Sequence, residues 1–259
     1  HDLWSVPADG SAAPRNLTPD NQAWDGQPVF SPDGRKLAWL AMEVPGYEAD
    51  RHRILVREWP DGPIREVAPG WDRSPAALAW SGDGRTLFVT ADHLGTHALF
   101  AVDVATGRCR DALAGTGLAL PPWEPKAEDF DIAPDGRELA LTADLGPEPR
   151  MMNQRDIVTV DLATKRKRIL TAGSGTDDAG PSYSPDGRAL VFHSCDTKRS
   201  FNDQGRLTLL LRRTGRMQTL APKLDRQVLQ VLWAPDSRSL LCTIEDRGRV
   251  GLWRLPVHW

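Results

Sequence analysis

Five stretches of the chain share one pattern, in which a polar turn separates two short runs of apolar residues. The first stretch covers residues 28–40, PVFSPDGRKLAWL, with Val29 and Phe30 before the turn and Leu37 after it. Aromatic and β-branched residues on both sides of such a turn predict a β-hairpin. In the SPDG turn, the proline has the φ angle needed at the second position, and Gly34 takes the left-handed conformation that closes the hairpin.

Four further stretches repeat this pattern at a nearly constant interval. They read LAWSGDGRTLFVT, FDIAPDGRELALT, SYSPDGRALVFHS and VLWAPDSRSLLCT. The turn aspartates lie 50, 52, 51 and 50 residues apart, at Asp33, Asp83, Asp135, Asp186 and Asp236. The last turn has Ser237 in place of glycine, which we expect to cost about 1 kcal/mol in a left-handed conformation.

Each interval holds two further strand candidates after the hairpin. Examples are RILVREW followed by PIREVAP, and DIVTVDLATK followed by RKRILTAG. Short strands repeated with a period of about 40–50 residues are typical of β-propeller blades. No segment keeps a helical spacing of apolar residues over three turns, which disfavours a helical repeat. We therefore predict an all-β propeller of four-stranded antiparallel blades, with about 51 residues per blade.

A longer repeat lies on top of the short one. A shift of 153 residues, three times 51, places residues 27–35 on residues 180–188 and Trp80 on Trp233. Residues 2–18 supply only two strand candidates, and the C-terminal end supplies only the third strand of a blade. Five hairpin anchors and this partial N-terminal blade give six blade positions, incomplete at both ends. We predict that residues 1–259 form a single propeller domain or an excerpt of one.

Composition narrows the classes of function and partner. Lys and Arg number 32 against 35 Asp and Glu, so a net charge of −3 gives no electrostatic reason to expect nucleic acid as a partner. No apolar run is as long as the roughly 18 residues that a membrane-spanning helix needs. We expect a protein that is not embedded in a membrane. The three cysteines lack metal-site spacing, and we expect buried or free thiols, with no metal and no cofactor.

Catalytic motifs are missing from the sequence. It contains no G-x-S-x-G nucleophile elbow, no P-loop, no H-E-x-x-H and no C-x-x-C. His93 and His97 are four residues apart, but Gly95 between them indicates a loop instead of a helical pair of metal ligands. We therefore expect this chain alone to be inactive.

Two short motifs carry a resemblance to a known family. PGYEADR at residues 45–51 and WDRS at residues 71–74, set among SPDGR hairpins, resemble the N-terminal propeller of the prolyl oligopeptidase family of serine peptidases. Within that family the chain is similar to the bacterial dipeptidyl-peptidase and acylaminoacyl-peptidase branch, which implies a location in the bacterial periplasm or cytoplasm. The resemblance implies a peptide substrate and a separate C-terminal α/β-hydrolase domain that carries a Ser-Asp-His triad. In that family the propeller caps the hydrolase domain and admits only short peptides to it. We expect no hydrolase domain within residues 1–259.

The resemblance leaves part of the function open. The double-glutamate motif by which some dipeptidyl peptidases hold the amino terminus of a substrate is not matched here, so the resemblance does not imply amine recognition. TolB-like propellers share the SPDGR hairpins, and a non-catalytic scaffold that binds a protein partner is the alternative. A homo-oligomer is possible in either case.

We predict that binding takes place at the end of the blades opposite the SPDG turns, because the connections there vary in length. The candidate substrate- or partner-binding residues are Tyr47, Glu48, Asp50, Arg51, Trp71, Asp72, Arg73, Asp225 and Arg226. The Asp-Arg pairs at 72–73 and 225–226 are related by the 153-residue shift. Two roles are open for them: a brace between adjacent blades, which repetition favours, or a contact with the substrate.

Overall fold

The computed structural model describes residues 1–7, 9–118, 120, 129–145, 155–196 and 205–259. Within these ranges the regular structure consists of twenty-one β-strands, β1–β21, without an α-helix. The chain divides into two compact units, the first containing His1–Ala114 and the second the described residues from 115 to 259. The prediction of one domain over residues 1–259 stays a prediction, and the units are described separately.

The first unit contains three antiparallel sheets. A two-stranded sheet of β1 and β2 comes first, and two four-stranded sheets follow it with their strands in sequence order. The strands are β1 Trp4–Ser5, β2 Arg15–Asn16, β3 Asp25–Phe30, β4 Lys36–Ala41, β5 Arg53–Glu58, β6 Ile64–Val67, β7 Pro75–Trp80, β8 Thr86–His93, β9 Thr96–Asp103 and β10 Cys109–Asp111.

The second unit also contains three antiparallel sheets. Two are four-stranded, β11–β14 and β15–β18, and the last has the three strands β19–β21. The strands are β11 Phe130–Ile132, β12 Glu138–Asp144, β13 Arg155–Asp161, β14 Lys167–Ile169, β15 Thr176–Tyr183, β16 Ala189–Asp196, β17 Arg206–Leu211, β18 Arg216–Thr219, β19 Val228–Trp233, β20 Ser239–Asp246 and β21 Arg249–Pro256.

These sheets confirm the predicted fold class. Each predicted hairpin joins the first two strands of a sheet, and the sheets are the blades of a β-propeller. The partial blades are also confirmed, because the first sheet has two strands and the last has three. Among the described residues, no helix has the length and apolar character needed to span a membrane.

The turn chemistry explains why the hairpins recur. In the first turn, the Ser31 hydroxyl donates to the Asp33 carboxylate at 2.6 Å and accepts the Lys36 N–H at 2.9 Å. The Asp33 carboxylate also accepts the Arg35 N–H at 3.1 Å. These bonds, the Ser31 bond first, lower the pKa of Asp33. Where alanine replaces the serine at position 133, Asp135 still accepts the Arg137 N–H at 3.0 Å.

All five turns place a residue in the left-handed region, as the sequence predicts. The φ angles lie between 58° and 70°, at Gly34, Gly84, Gly136, Gly187 and Ser237. Ser237 is buried, and its hydroxyl accepts the Asp186 N–H from the neighbouring turn at 3.0 Å. This hydrogen bond offsets part of the backbone cost that a non-glycine residue carries at this position.

The second strand of each blade supplies the core. In β4, Leu37–Ala41 are all buried, and Trp39 donates its indole N–H to the buried Asp25 carboxylate at 2.8 Å. A strand packed on both faces reads as a nearly continuous apolar run instead of an alternating one. This is why the residues after each SPDG turn show weak alternation and strong hydrophobicity.

Two tryptophans confirm the 153-residue repeat at the level of single atoms. The Trp80 indole N–H donates to the Val29 carbonyl of the preceding blade at 3.1 Å. The Trp233 indole N–H donates to the Ser182 carbonyl of its preceding blade, also at 3.1 Å. Because both donors and both acceptors are 153 residues apart, each half of the repeat ties its first and second anchored sheets by the same bond.

A β-bulge in the first strand gives a matched pair of mutations. Gln27 and Gly180 occupy equivalent bulges, with φ angles of 54° and 67°. Gln27→Gly is expected to raise the free energy of unfolding by about 1 kcal/mol, because the left-handed conformation favours glycine. Gly180→Ala is expected to lower it by a similar amount. Urea unfolding of both variants measures the effect, and a stability loss in Gln27→Gly would contradict it.

Candidate functional site

The connection between β4 and β5 is the long loop that contains PGYEADR. Its Asp50 carboxylate accepts the N–H groups of Glu43 and Val44 at 2.7 and 2.8 Å. The Val44 bond, followed by the Glu43 bond, holds the pKa of Asp50 below its usual value. Asp50 therefore shapes the loop from inside, while the side chains of Tyr47 and Glu48 are exposed to solvent.

Arg51 connects this loop to the next blade. Its guanidinium donates to the Trp71 carbonyl at 3.3 Å and to the Glu66 carboxylate at 3.1 Å. The Trp71 ring packs edge-on against Phe100, with ring centroids 5.1 Å apart. The PGYEADR and WDRS segments therefore lie side by side at one end of their blades. This is the end opposite the SPDG turns, because an antiparallel blade alternates its connections between two ends.

Arg73 lies just before β7 and contacts the end of β8. Its Nη2 lies 3.2 Å from His93 Nδ1, and its Nη1 lies 3.7 Å from the Asp72 carboxylate. Since a guanidinium only donates, this contact requires the His93 tautomer that carries its proton on Nε2. The Asp72 side chain is 80% exposed, so its carboxylate is available to a ligand.

The equivalent arginine of the second unit is held by two carboxylates. Arg226 Nε donates to Asp246 at 2.8 Å, and its Nη1 lies 2.7 Å from the Asp225 carboxylate. These bonds, that to Asp246 first, raise the pKa of Arg226. Asp246 stands 153 residues after His93, so the two arginines use the same position on the neighbouring strand.

The contacts of both arginines lie within single sheets, and the brace between adjacent blades stays a prediction. Arg73 reaches the end of β8 and Arg226 reaches the end of β20, and in both cases this strand belongs to the arginine's own sheet. The reason is geometric: the entry to the first strand lies beside the exit of the second strand, to which it is paired. Both arginine side chains are also about one-third exposed. We therefore expect these ion pairs to contribute little to the free energy of unfolding, as is usual for exposed pairs.

The sequence singled out one partner in each contact and missed the other. Glu66, His93, Phe100 and Asp246 lie against the candidate residues but belong to no motif. The 153-residue shift contains the signal for two of them, because it places His93 on Asp246. No comparable signal identifies Glu66, whose role depends on a side-chain contact from a different loop.

The chain is a β-propeller, and comparisons with known proteins support the predicted resemblance to peptidase propellers. It is 41% identical over 109 residues to dipeptidyl-peptidase 5 of Trichophyton equinum, a match that covers 39% of this chain and 15% of the relative. The bacterial branch of the predicted resemblance stays a prediction. No family model matches the chain.

Solved structures show the same fold at lower identity. A puromycin hydrolase superimposes with a TM-score of 0.63 at 23% identity, covering 94% of this chain and 37% of the hydrolase chain. The propeller domain of the trilobed protease from Pyrococcus furiosus gives 0.67 at 14% identity, covering 99% and 77%. TolB from Acinetobacter baumannii gives 0.65 at 20% identity, covering 99% and 59%.

Proposed function

We propose that this chain is the propeller domain of a serine exo- or oligopeptidase that caps a catalytic α/β-hydrolase domain and admits short peptides. The observation that carries the proposal is the 41% identity to dipeptidyl-peptidase 5. The chain spans about 15% of the length of those relatives, so their activity belongs to proteins with additional sequence.

The loop end of the first unit supports a role in contact with peptides. It presents the exposed side chains of Tyr47 and Glu48 on one segment and the exposed Asp72 carboxylate on the neighbouring segment. Beside them, Arg51 and Trp71 are fixed by the contacts described above. An aromatic surface bordered by carboxylates suits apolar peptide side chains and backbone N–H groups. Residues on loops held by a rigid scaffold are the usual place for such recognition.

The test is hydrogen exchange and titration with an uncharged peptide of three to five residues, blocked at both termini. We expect protection at residues 45–51 and 71–74. Arg73→Ala is expected to weaken binding several-fold while the melting temperature stays close to that of the parent, because the arginine is exposed. Arg35→Ala, at an SPDG turn, is the control and leaves binding unchanged.

Two outcomes contradict this assignment. The first is protection confined to the SPDG turns, and the second is an Arg73→Ala variant that binds the peptide as the parent does. Incubation with a fluorophosphonate probe addresses the role of the chain itself. We expect no labelling, because the proposed nucleophile belongs to the hydrolase domain and not to this sequence.

A non-catalytic scaffold that binds a protein partner is the second candidate. It is favoured by the TolB superposition, which covers 99% of this chain. The two functions differ in the size of the ligand. Failure of every blocked peptide of up to ten residues to bind, at millimolar concentration, would favour the scaffold.

A further inference from the structure

A cavity of about 880 Å³ lies in the second unit, between the sheet β11–β14 and the sheet β15–β18. It is placed beside the SPDG turn of the latter sheet, since Gly187 and Arg188 line it. The candidate residues described above lie at the other end of the blades. Its volume falls within the range of cavities that hold small organic ligands.

The charged groups around the cavity are predominantly basic. One carboxylate, Glu138, faces four guanidinium groups, those of Arg168, Arg188, Arg212 and Arg213. One of these four guanidinium groups, that of Arg212, already has hydrogen-bond partners within the protein. Arg212 donates to the Gly187 carbonyl at 2.6 Å and to Glu138 at 2.7 Å, and it lies over the Tyr183 ring at 4.9 Å.

The negative charge of Glu138 is neutralised by contacts within the protein. Its carboxylate also accepts the Tyr183 hydroxyl at 2.7 Å, and Tyr183 is buried. Burial, followed by the Glu138 charge, raises the pKa of Tyr183 above its usual value, so the phenol stays a neutral donor. Glu138, Tyr183 and Arg212 together form a rigid wall whose net charge is zero.

The remaining three arginines have little to neutralise them. Among the described residues, no carboxylate lies within ion-pair distance of Arg168 or Arg213. Arg188 is 3.8 Å from Asp186 and its side chain is 77% exposed. All three arginines line the same cavity, and their guanidinium groups retain donors for an anion. Planar guanidinium groups bind carboxylates with two parallel hydrogen bonds.

Most of the remaining lining is apolar, apart from Thr159 and Thr214. It consists mainly of leucines with one methionine and one tryptophan, at Leu170, Leu190, Leu210, Leu211, Met217 and Trp259. The Trp259 ring is 48% exposed and leans on Trp233 at a centroid distance of 6.1 Å. A ligand that places a carboxylate at the arginines therefore meets a surface suited to an aromatic or aliphatic body.

We propose that this cavity binds an organic carboxylate with an apolar body. The arginines at 168, 188 and 213 take the carboxylate, and the leucines with Met217 and Trp259 take the apolar group. Free organic acids and polypeptide carboxylates share this chemistry. The site is independent of the proposed peptidase role, because it shares no residue with the loop end.

Calorimetric titration of the intact chain tests the site with two matched probes. N-acetylphenylalanine carries the carboxylate, and N-acetylphenylalaninamide has the same body without it. We expect at least tenfold tighter binding of the acid. A third probe, acetyl-Phe-Glu-amide, carries its carboxylate on a side chain. Binding of this probe as well identifies a polypeptide source, and binding of the free acid alone identifies a small organic acid.

Variants locate the binding within the protein. The double variant Arg168→Gln/Arg213→Gln is expected to weaken binding of the acid at least tenfold, while Arg216→Gln, on the same hairpin but outside the lining, changes it less than twofold. Far-ultraviolet circular dichroism and melting curves verify that the variants fold. Equal affinity for acid and amide, or equal affinity of the double variant and the Arg216→Gln control, would overturn the proposal.

Discussion

Replacing Trp80 by alanine is expected to lower the free energy of unfolding by about 3–5 kcal/mol, the range for deleting a large buried aromatic side chain. Trp80 is 8% exposed and packs in the core cluster that contains Leu78, Leu87 and Val102. Its indole N–H also satisfies the Val29 carbonyl of the preceding blade. The substitution therefore removes apolar packing and a tie between two sheets in one step.

Trp80→Phe separates these two contributions. It keeps an aromatic ring in the core but removes the N–H group. We expect the free energy of unfolding to fall by about 1 kcal/mol for the lost hydrogen bond, and by a smaller amount for the lost packing. Trp233→Ala provides a matched position in the second unit, where the same bond reaches Ser182. Its loss should be smaller, because Trp233 is only partly buried. Denaturant unfolding measures all three, and a Trp80→Ala variant as stable as the parent would contradict the assignment.

The hairpins and their order could be predicted from sequence because their causes are local. A turn such as that at Ser31–Lys36 is closed by contacts between residues at most five positions apart. The left-handed position favours glycine, so the turn can be recognised in the sequence by a glycine at that position. The equivalence of Trp80 and Trp233 was also predictable, since the 153-residue shift aligns them without a gap.

Apart from the alignment of His93 with Asp246 by the 153-residue shift, contacts between distant residues left no such signal. Arg73 was identified, but its partner lies in its own sheet, and the sequence does not show which strand end a guanidinium reaches. The cavity was not predicted, because its lining residues are far apart in the sequence, from Glu138 to Trp259. Arg155 and Asp177, which do join adjacent blades, belong to no repeated motif.

Asp177→Ala is expected to cost about 3 kcal/mol, close to the low end of the range for breaking a buried ion pair. The Asp177 carboxylate on β15 accepts three bonds from Arg155 on β13: the N–H at 2.9 Å, Nε at 2.9 Å and Nη2 at 2.6 Å. The two side chains are only 21% and 16% exposed. The substitution leaves a guanidinium charge poorly solvated between two sheets, which makes the penalty large.

The pH dependence of this loss has a defined sign. Burial by itself raises the pKa of Asp177, but the Arg155 hydrogen bonds and charge outweigh it and hold the pKa below its usual value. The ion pair therefore contributes its full stability above the unfolded-state pKa of about 4, and this contribution is lost as the pH falls through the lower folded-state pKa.

The control is Asp225→Ala, whose carboxylate is 84% exposed beside Arg226 and whose loss should cost about 0–1 kcal/mol. Urea unfolding from pH 7 to pH 3 should show a gap between the parent and Asp177→Ala that is constant near neutrality and narrows below about pH 4. A gap that widens toward acid pH, or one no larger than that of Asp225→Ala at pH 7, would show that Arg155 and Asp177 do not tie the two blades together.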